Sequence, residues 1–242
     1  MKKIYVKGHL GLGDHLLCIG LYRVLAESAK NIIIPVRSYN LSSLRFFLRD
    51  LPNVYFFSYP KTFTESSMYI LSKTLPLLRF EELRLGHWGI NFVSNGTRFD
   101  ASFYRQANIP FRFRWDGFTY IRDMDQEFSL FRSYDVKPGK YIFLHEDRSR
   151  RFEINRNFIR PKMKIVEPKI SGKRIPIAHY RLLMENAAEN HLIESSFAAF
   201  CDSIEVSGKR FAHRYSRPEA ARDPFHEFSY RHDWKVYING NR

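Results

Sequence analysis

The first sixty residues alternate between short apolar runs and helical stripes. Ile4-Tyr5-Val6 is a compact apolar run that enters the glycine-rich stretch Gly8-His9-Leu10-Gly11-Leu12-Gly13-Asp14. Leu17, Leu21, Val24 and Leu25 then recur at helical spacing. Residues 31–36 form a β-branched run of the kind that suits a parallel strand covered on both faces. Leu41, Leu44, Leu48 and Leu51 mark a second helical stripe, Pro52-Asn53 interrupts it, and Val54-Tyr55-Phe56-Phe57 reads as a third strand. A further helix is expected over 64–75, ahead of Pro76. This β-α-β-α-β order predicts a parallel, doubly wound sheet with right-handed crossovers.

Residues 80–135 carry no clear period. Phe111-Arg112-Phe113-Arg114-Trp115 alternates as an edge strand would, and reads equally as an aromatic loop. Val136-Lys137-Pro138-Gly139-Lys140 is a strong turn signal followed at once by the apolar run Tyr141-Ile142-Phe143-Leu144. It places a boundary between a unit over 1–136 and a second α/β unit over 137–242. In the second unit a helix is expected over 179–190 and a strand over 191–194. Ser195-Ser196 then caps a helix with Phe197, Phe200, Cys201 and Ile204 on its apolar face.

Composition narrows the class. A hydrophobic fraction of 44% supplies a real core, which excludes global disorder. The net charge of +14 favours anionic partners: nucleotides, nucleic acid, acidic glycans or acidic headgroups. No stretch is long enough to span a bilayer, and Met1-Lys2-Lys3 leads into a strand and not a signal peptide. Cys18 and Cys201 both fall on apolar helix faces and read as buried thiols, in keeping with a reducing, cytoplasmic setting. The sequons at Asn40 and Asn95 matter only in a secreted chain.

Three constellations can carry chemistry. The first is the glycine turn. A strand–turn–helix junction brings backbone N–H groups and a helix N-terminus to the carboxyl end of a sheet, where Asp14 can deprotonate a hydroxyl and Gly11, Gly13 and His15 can contact substrate. His9 and His15 are weaker candidates for the base. The second is Glu194-Ser195-Ser196 at a strand-to-helix junction, where two hydroxyls and unpaired amides suit a diphosphate. The third is the stretch 145–151, with His145, Arg148 and Arg151, inside a region (137–175) holding twelve Lys or Arg against four Asp or Glu. Arginine forks grip phosphate oxygens with paired hydrogen bonds.

Other patterns carry less. The glycines read G-x-x-G-x-G, and Arg37 rather than an acid follows the second strand, which leaves room only for a phosphorylated dinucleotide. Tyr69 and Lys73 have reductase spacing but come too early in the chain. Asp123-Met124-Asp125 has the form of a metal-binding acid pair but reads as a helix start. His226 and His232 lack a third ligand at regular spacing, and no zinc set, serine elbow or phosphate loop is present.

These features resemble the GT-B glycosyltransferases, and most of all the ADP-heptose:lipopolysaccharide heptosyltransferase group. That group carries a G-x-L-G-D-x-L-L-type segment, matched here over 8–17. The resemblance implies that Asp14 activates the acceptor hydroxyl. It also implies that Glu194-Ser195-Ser196 stands where the family has an acid–Ser/Thr–Gly turn that holds donor diphosphate. Phe197 and Ala198 depart from the small-residue turn and histidine found there. The expectation is a trimmed GT-B enzyme with two Rossmann-like domains facing a cleft. It would move a sugar from a nucleotide-diphosphate donor to a hydroxyl acceptor with inversion. It would need no metal or other cofactor, because Ser195, Ser196 and Arg148 or Arg151 would stabilise the departing diphosphate. A cytoplasmic enzyme of this kind can work against an acidic membrane surface. The alternatives are a non-catalytic nucleotide- or glycan-binding protein of the same fold, a single-stranded nucleic-acid binder stacking bases along 111–115, and, last, an NADP reductase.

Overall fold

The computed structural model describes residues 2–9, 11–60, 79–89, 98–169, 175–216 and 229–239. The chain divides into two compact units, Met1–Ile121 and Arg122–Arg242, each α/β with a parallel sheet. The helix expected over 64–75, the Tyr69–Lys73 pair, the Asn95 sequon and His226 lie outside the described residues.

The first unit contains strands β1 (Lys2–Lys7), β2 (Ala29–Arg37), β3 (Val54–Tyr59) and β4 (Phe80–Arg84), in the order β3-β2-β1-β4, all parallel. β2 lies inside the sheet, and its Ile32, Ile34 and Val36 are completely buried. Pro35 falls past the last register pair with β1, Tyr5 opposite Ile33, so its missing N–H breaks no rung on that side. Helices α1 (Leu12–Leu17) and α2 (Ile19–Ser28) connect β1 to β2, and α3 (Leu41–Phe47) connects β2 to β3. After β4 come α4 (Phe99–Gln106) and the short α5 (Phe113–Asp116). The Tyr104 hydroxyl donates to the Leu17 carbonyl at 2.8 Å and ties α4 to the end of α1.

The stretch 111–115 is neither edge strand nor open loop. Phe111 packs edge-on against Tyr104 and Trp115, and Arg114 is fully buried in an ion pair with Asp100. A buried guanidinium needs a partnered carboxylate, and that requirement turns the segment into a helical turn. It also removes Arg114 from any nucleic-acid surface.

The second unit contains α6 (Met124–Arg132), β5 (Tyr141–His145), β6 (Lys164–Val166), α7 (Arg181–Glu185), β7 (Glu189–Leu192), α8 (Ser196–Asp202), β8 (Lys209–His213) and β9 (Trp234–Tyr237). The parallel sheet runs β6-β5-β7-β8-β9. Ile142, Leu144, Ile154, Ile159 and Ile193 form one apolar cluster of its core.

The division falls at Ile121, fifteen residues ahead of the turn that marks the boundary in the sequence. α6 belongs to the second unit because Arg122 bridges Glu127 of α6 and Glu185 of α7, with bonds of 3.0 Å to each. Asp123 caps α6 by accepting from the Gln126 N–H at 3.1 Å, so this acid pair does serve a helix start. The helix expected over 179–190 is a 3-10 turn followed by α7, and it stops at Glu185. Glu189-Asn190-His191 form a buried strand instead. Polar partners meet most of these side chains: Arg160 pairs with Glu189 at 2.6 Å, Glu189 with His191 at 3.1 Å, His191 with His213 at 3.0 Å, and the Asn190 Nδ2 donates to the Met184 carbonyl at 3.1 Å.

Strand order locates the functional edges. In the first unit the chain steps outward from β1 to β2 to β3, and β4 then returns to the other side of β1. In the second it steps from β5 to β6, and β7, β8 and β9 lie on the other side of β5. The reversal points, β1/β4 and β5/β7, are where open α/β sheets form crevices at the carboxyl ends of their strands.

Candidate functional site

At the first reversal point the chain leaves β1 into the glycine turn and leaves β4 into Leu85-Gly86-His87. The Leu85 N–H donates to the Lys7 carbonyl at 2.8 Å and holds the two exits together. Gly11 caps α1 in an extended conformation (φ −69°, ψ 142°). A Cβ there would lie 2.6 Å from the Asp14 Oδ2, so glycine leaves the carboxylate room that a larger residue would take only by pushing it aside. The Asp14 carboxylate therefore folds back over the start of α1, where the helix dipole favours a negative charge. It is partly exposed, and Oδ2 lies 4.0 Å from the Nδ1 of His9. Gly13 follows inside the first turn of α1, also partly exposed.

His15 does not reach this surface. It is 2% exposed and faces inward, with Nδ1 3.0 Å from the Tyr22 hydroxyl. Burial, reinforced by the neighbouring His9, pushes its pKa down to about 4. It supports the turn from beneath, and its burial turns it away from the surface where Asp14 is partly exposed. Cys18, between α1 and α2, is buried as well. Burial and the carboxylates of Asp14 and Asp100 raise its thiol pKa, which leaves it inert.

At the second reversal point His145 ends β5 and Ser195 follows β7. The Ser195 Oγ and the His145 Nδ1 are 3.1 Å apart, and the imidazole packs on Phe197 with ring centres 4.4 Å apart. Desolvation lowers the His145 pKa to about 4, so the ring is neutral at physiological pH. Ser195 occupies the N-cap position of α8, yet its side chain makes no capping bond. Ser195 and Ser196 are both partly exposed. Glu194 is turned inward and forms a buried ion pair with Arg214 at 3.1 Å.

The arginines differ. Arg148 is held by two carboxylates, Glu146 at 2.6 Å and Glu167 at 2.9 Å. Glu146 in turn accepts from Arg156 at 2.8 Å and from the Ile154 N–H at 3.0 Å. Arg148 is thus part of a charge network that shapes the loop. Arg151 is exposed, its backbone left-handed (φ 60°), and its guanidinium makes no ion pair among the described residues. Of the two, Arg151 is the one able to meet an incoming anion.

The structure thus brings Asp14, Gly11 and Gly13 together at one reversal point, and His145, Ser195 and Ser196 at the other. His15 and Glu194 lie beneath the surface, and Arg148 is committed to carboxylates. His87 was not legible, because its contact with His9 spans 78 residues of chain. Among the described residues no group of three His, Cys, Asp or Glu is arranged to hold a metal ion, and no helix is long and apolar enough to cross a membrane.

No family model and no curated protein matches the sequence. Two solved structures are similar. One is the glycosyl transferase family 9 protein from Veillonella parvula DSM 2008, at 13% identity over 88% of this chain and 80% of that chain, with a TM-score of 0.50. The other is E. coli ADP-heptose lps heptosyltransferase II, at 10% identity over 88% of this chain and 84% of that chain, with a TM-score of 0.47. The two parallel sheets, their strand orders and the likeness to the family 9 structure together show an α/β fold of two parallel-sheet units, similar to that of the glycosyl transferase family 9 protein.

Proposed function

We propose that the chain is a glycosyltransferase that moves a sugar from a nucleotide-diphosphate donor to an acceptor hydroxyl. The observation that carries this is that each unit, taken by itself, presents reactive groups at its own strand-reversal point. One presents a partly exposed carboxylate over a glycine turn, and the other presents hydroxyls, a neutral histidine and an exposed arginine.

Asp14 removes the acceptor proton as the new bond forms. A carboxylate in that role contributes about 10²–10⁴ in rate. Ser195 and Ser196 donate to the diphosphate, and Arg151 supplies the positive charge that grows in value as the leaving group separates. His145 holds the Ser195 hydroxyl in place. In the in-line displacement we propose, the acceptor oxygen attacks opposite the departing diphosphate, and that route inverts the anomeric carbon. These donors carry the role that a metal ion has elsewhere. The net charge of +14 suits an anionic donor and an enzyme working against acidic headgroups.

The test is a thermal-shift screen with nucleoside diphosphates, followed by transfer assays with the nucleotide that stabilises the chain. Asp14→Asn keeps nucleotide binding and loses turnover by about a hundredfold or more. Ser195→Ala and Arg151→Ala weaken nucleotide binding by about tenfold each, the size of a charged hydrogen bond. Absence of stabilisation by every nucleoside diphosphate overturns the proposal. Nucleotide binding without transfer to any acceptor would instead assign a non-catalytic binding protein.

A further inference from the structure

His9 and His87 leave adjacent strands at the first reversal point and meet there. The Nε2 of His9 lies 2.9 Å from the Nδ1 of His87 and 3.3 Å from the His87 backbone nitrogen, which donates to it. The other face of the same ring looks toward Asp14, with Nδ1 4.0 Å from Oδ2. The three side chains form a row from a half-buried carboxylate to an exposed imidazole.

The surroundings are built for this row. Gly86 is left-handed (φ +66°), and a Cβ there would sit 2.1 Å from the His9 Nε2. Gly86 is gripped on both sides by Gln106, whose Oε1 accepts from the Gly86 N–H at 2.7 Å and whose Nε2 donates to the Gly86 carbonyl at 3.1 Å. Gly89 leaves room for that grip, since a Cβ would approach the Gln106 amide to 2.6 Å. Phe99 and Phe103 close the sides, with ring centres 5.4 and 5.6 Å from His9.

Proton placement follows from these partners. The His9 Nε2 faces a backbone N–H, so it is an acceptor, and the His87 Nδ1 beside it must carry the proton between them. A neutral His9 then bears its hydrogen on Nδ1, the nitrogen that faces Asp14. Building on Asp14 as the acceptor-side base, we propose that His9 is a positioning residue for that carboxylate and that His87 fixes the His9 tautomer. At 4.0 Å the His9 Nδ1 faces the carboxylate at ion-pair distance and not in a formed hydrogen bond, so its N–H biases Asp14 electrostatically toward one orientation and is placed to close a bond as the site fills.

Imidazole ¹⁵N NMR of the full-length chain tests this without any transfer assay. The expected result is a His9 ring with its proton on Nδ1 near neutral pH. Its nitrogen shifts should move in Asp14→Asn, and its tautomer preference should be lost in His87→Ala, an exposed position whose replacement leaves the backbone spectrum otherwise unchanged. Gly86→Ala, which keeps both histidines but drives them apart, should reproduce the His87→Ala signature. In transfer assays His9→Ala should lower kcat by about tenfold with the acceptor KM unchanged, and His9→Asn, whose amide N–H can reach the same carboxylate, should recover most of it. A parent His9 protonated on Nε2, or a His9 ring blind to Asp14→Asn, overturns the proposal. Failure of the glycosyltransferase assignment would appear separately, as lack of nucleotide binding, and leaves the NMR result readable.

Discussion

Gly20 lies in the first turn of α2, and a methyl group there would stand 1.8 Å from the Phe113 carbonyl oxygen and 2.8 Å from its carbon. Two effects of Gly20→Ala oppose each other. Alanine favours the helix over glycine by about 1 kcal/mol. Against that, the obstructing atoms are main chain and cannot rotate away. Reaching an ordinary contact of ~3.5 Å means separating α2 from α5 by roughly 1–2 Å. Overpacking of this kind costs about 1–3 kcal/mol, and more where the backbone must move. The clash should win, with a net loss of about 2 kcal/mol. Gly117 sits on the facing side, where a Cβ would be 2.8 Å from the Gly20 Cα and 2.9 Å from the Phe113 oxygen, so Gly117→Ala should cost about half as much. Both substitutions demand the same separation, so the double mutant should cost less than the sum. Urea unfolding, followed by circular dichroism and by fluorescence from the three tryptophans, Trp115 on α5 among them, reads this. With a slope of about 2 kcal/mol per molar, Gly20→Ala should lower the midpoint by about 1 M. A Gly20→Ala chain as stable as its parent, or strictly additive costs in the double mutant, would refute the close crossing of these two helices.

Two further outcomes follow from buried groups. Arg114→Met strands the fully buried Asp100 carboxylate and should destabilise the chain by about 3–5 kcal/mol, whereas Asp100→Leu combined with Arg114→Met should recover much of the loss; the same urea experiment decides, and a single-mutant cost below 1 kcal/mol contradicts the pairing. His15 has a folded pKa of about 4 against about 6.5 when unfolded, so it adds no pH dependence above 6.5. As the pH falls from 6.5 toward 4 the unfolded chain takes up a proton that folded His15 refuses, and stability drops by about 2 kcal/mol at pH 5. His15→Gln should remove that part of the decline, measured as the difference between urea midpoints at pH 7 and pH 5.

The strands with uniform apolar chemistry were readable from sequence. β2 and β5 each announce themselves as a run of buried Ile, Val, Phe or Leu, and the β1–turn–α1 junction is written in its glycines. β7 was misplaced at its start because Glu189, Asn190 and His191 are poor strand formers, and only partners distant in sequence, Arg160 and His213, make their burial tolerable. Arg112-Phe113-Arg114 alternates like a strand for a similar reason, since its inward charge is matched by Asp100, fourteen residues earlier. At the site, Asp14 and Ser195 were legible as local punctuation of helix starts. The inward turn of His15 and Glu194, and the commitment of Arg148 to Glu146 and Glu167, depend on neighbours that no spacing rule reveals.

The Arg122 bridge has a practical consequence for anyone severing the polypeptide. The Pro138-Gly139 turn looks like the natural place to cut, but a fragment starting at Lys137 would lose Arg122 and Glu127 together. Glu185 would keep only its partner one helical turn away, Arg181. The surface of the second unit on which α6 lies would be laid bare to water, inviting aggregation. A fragment beginning just ahead of Arg122 keeps this clasp shut.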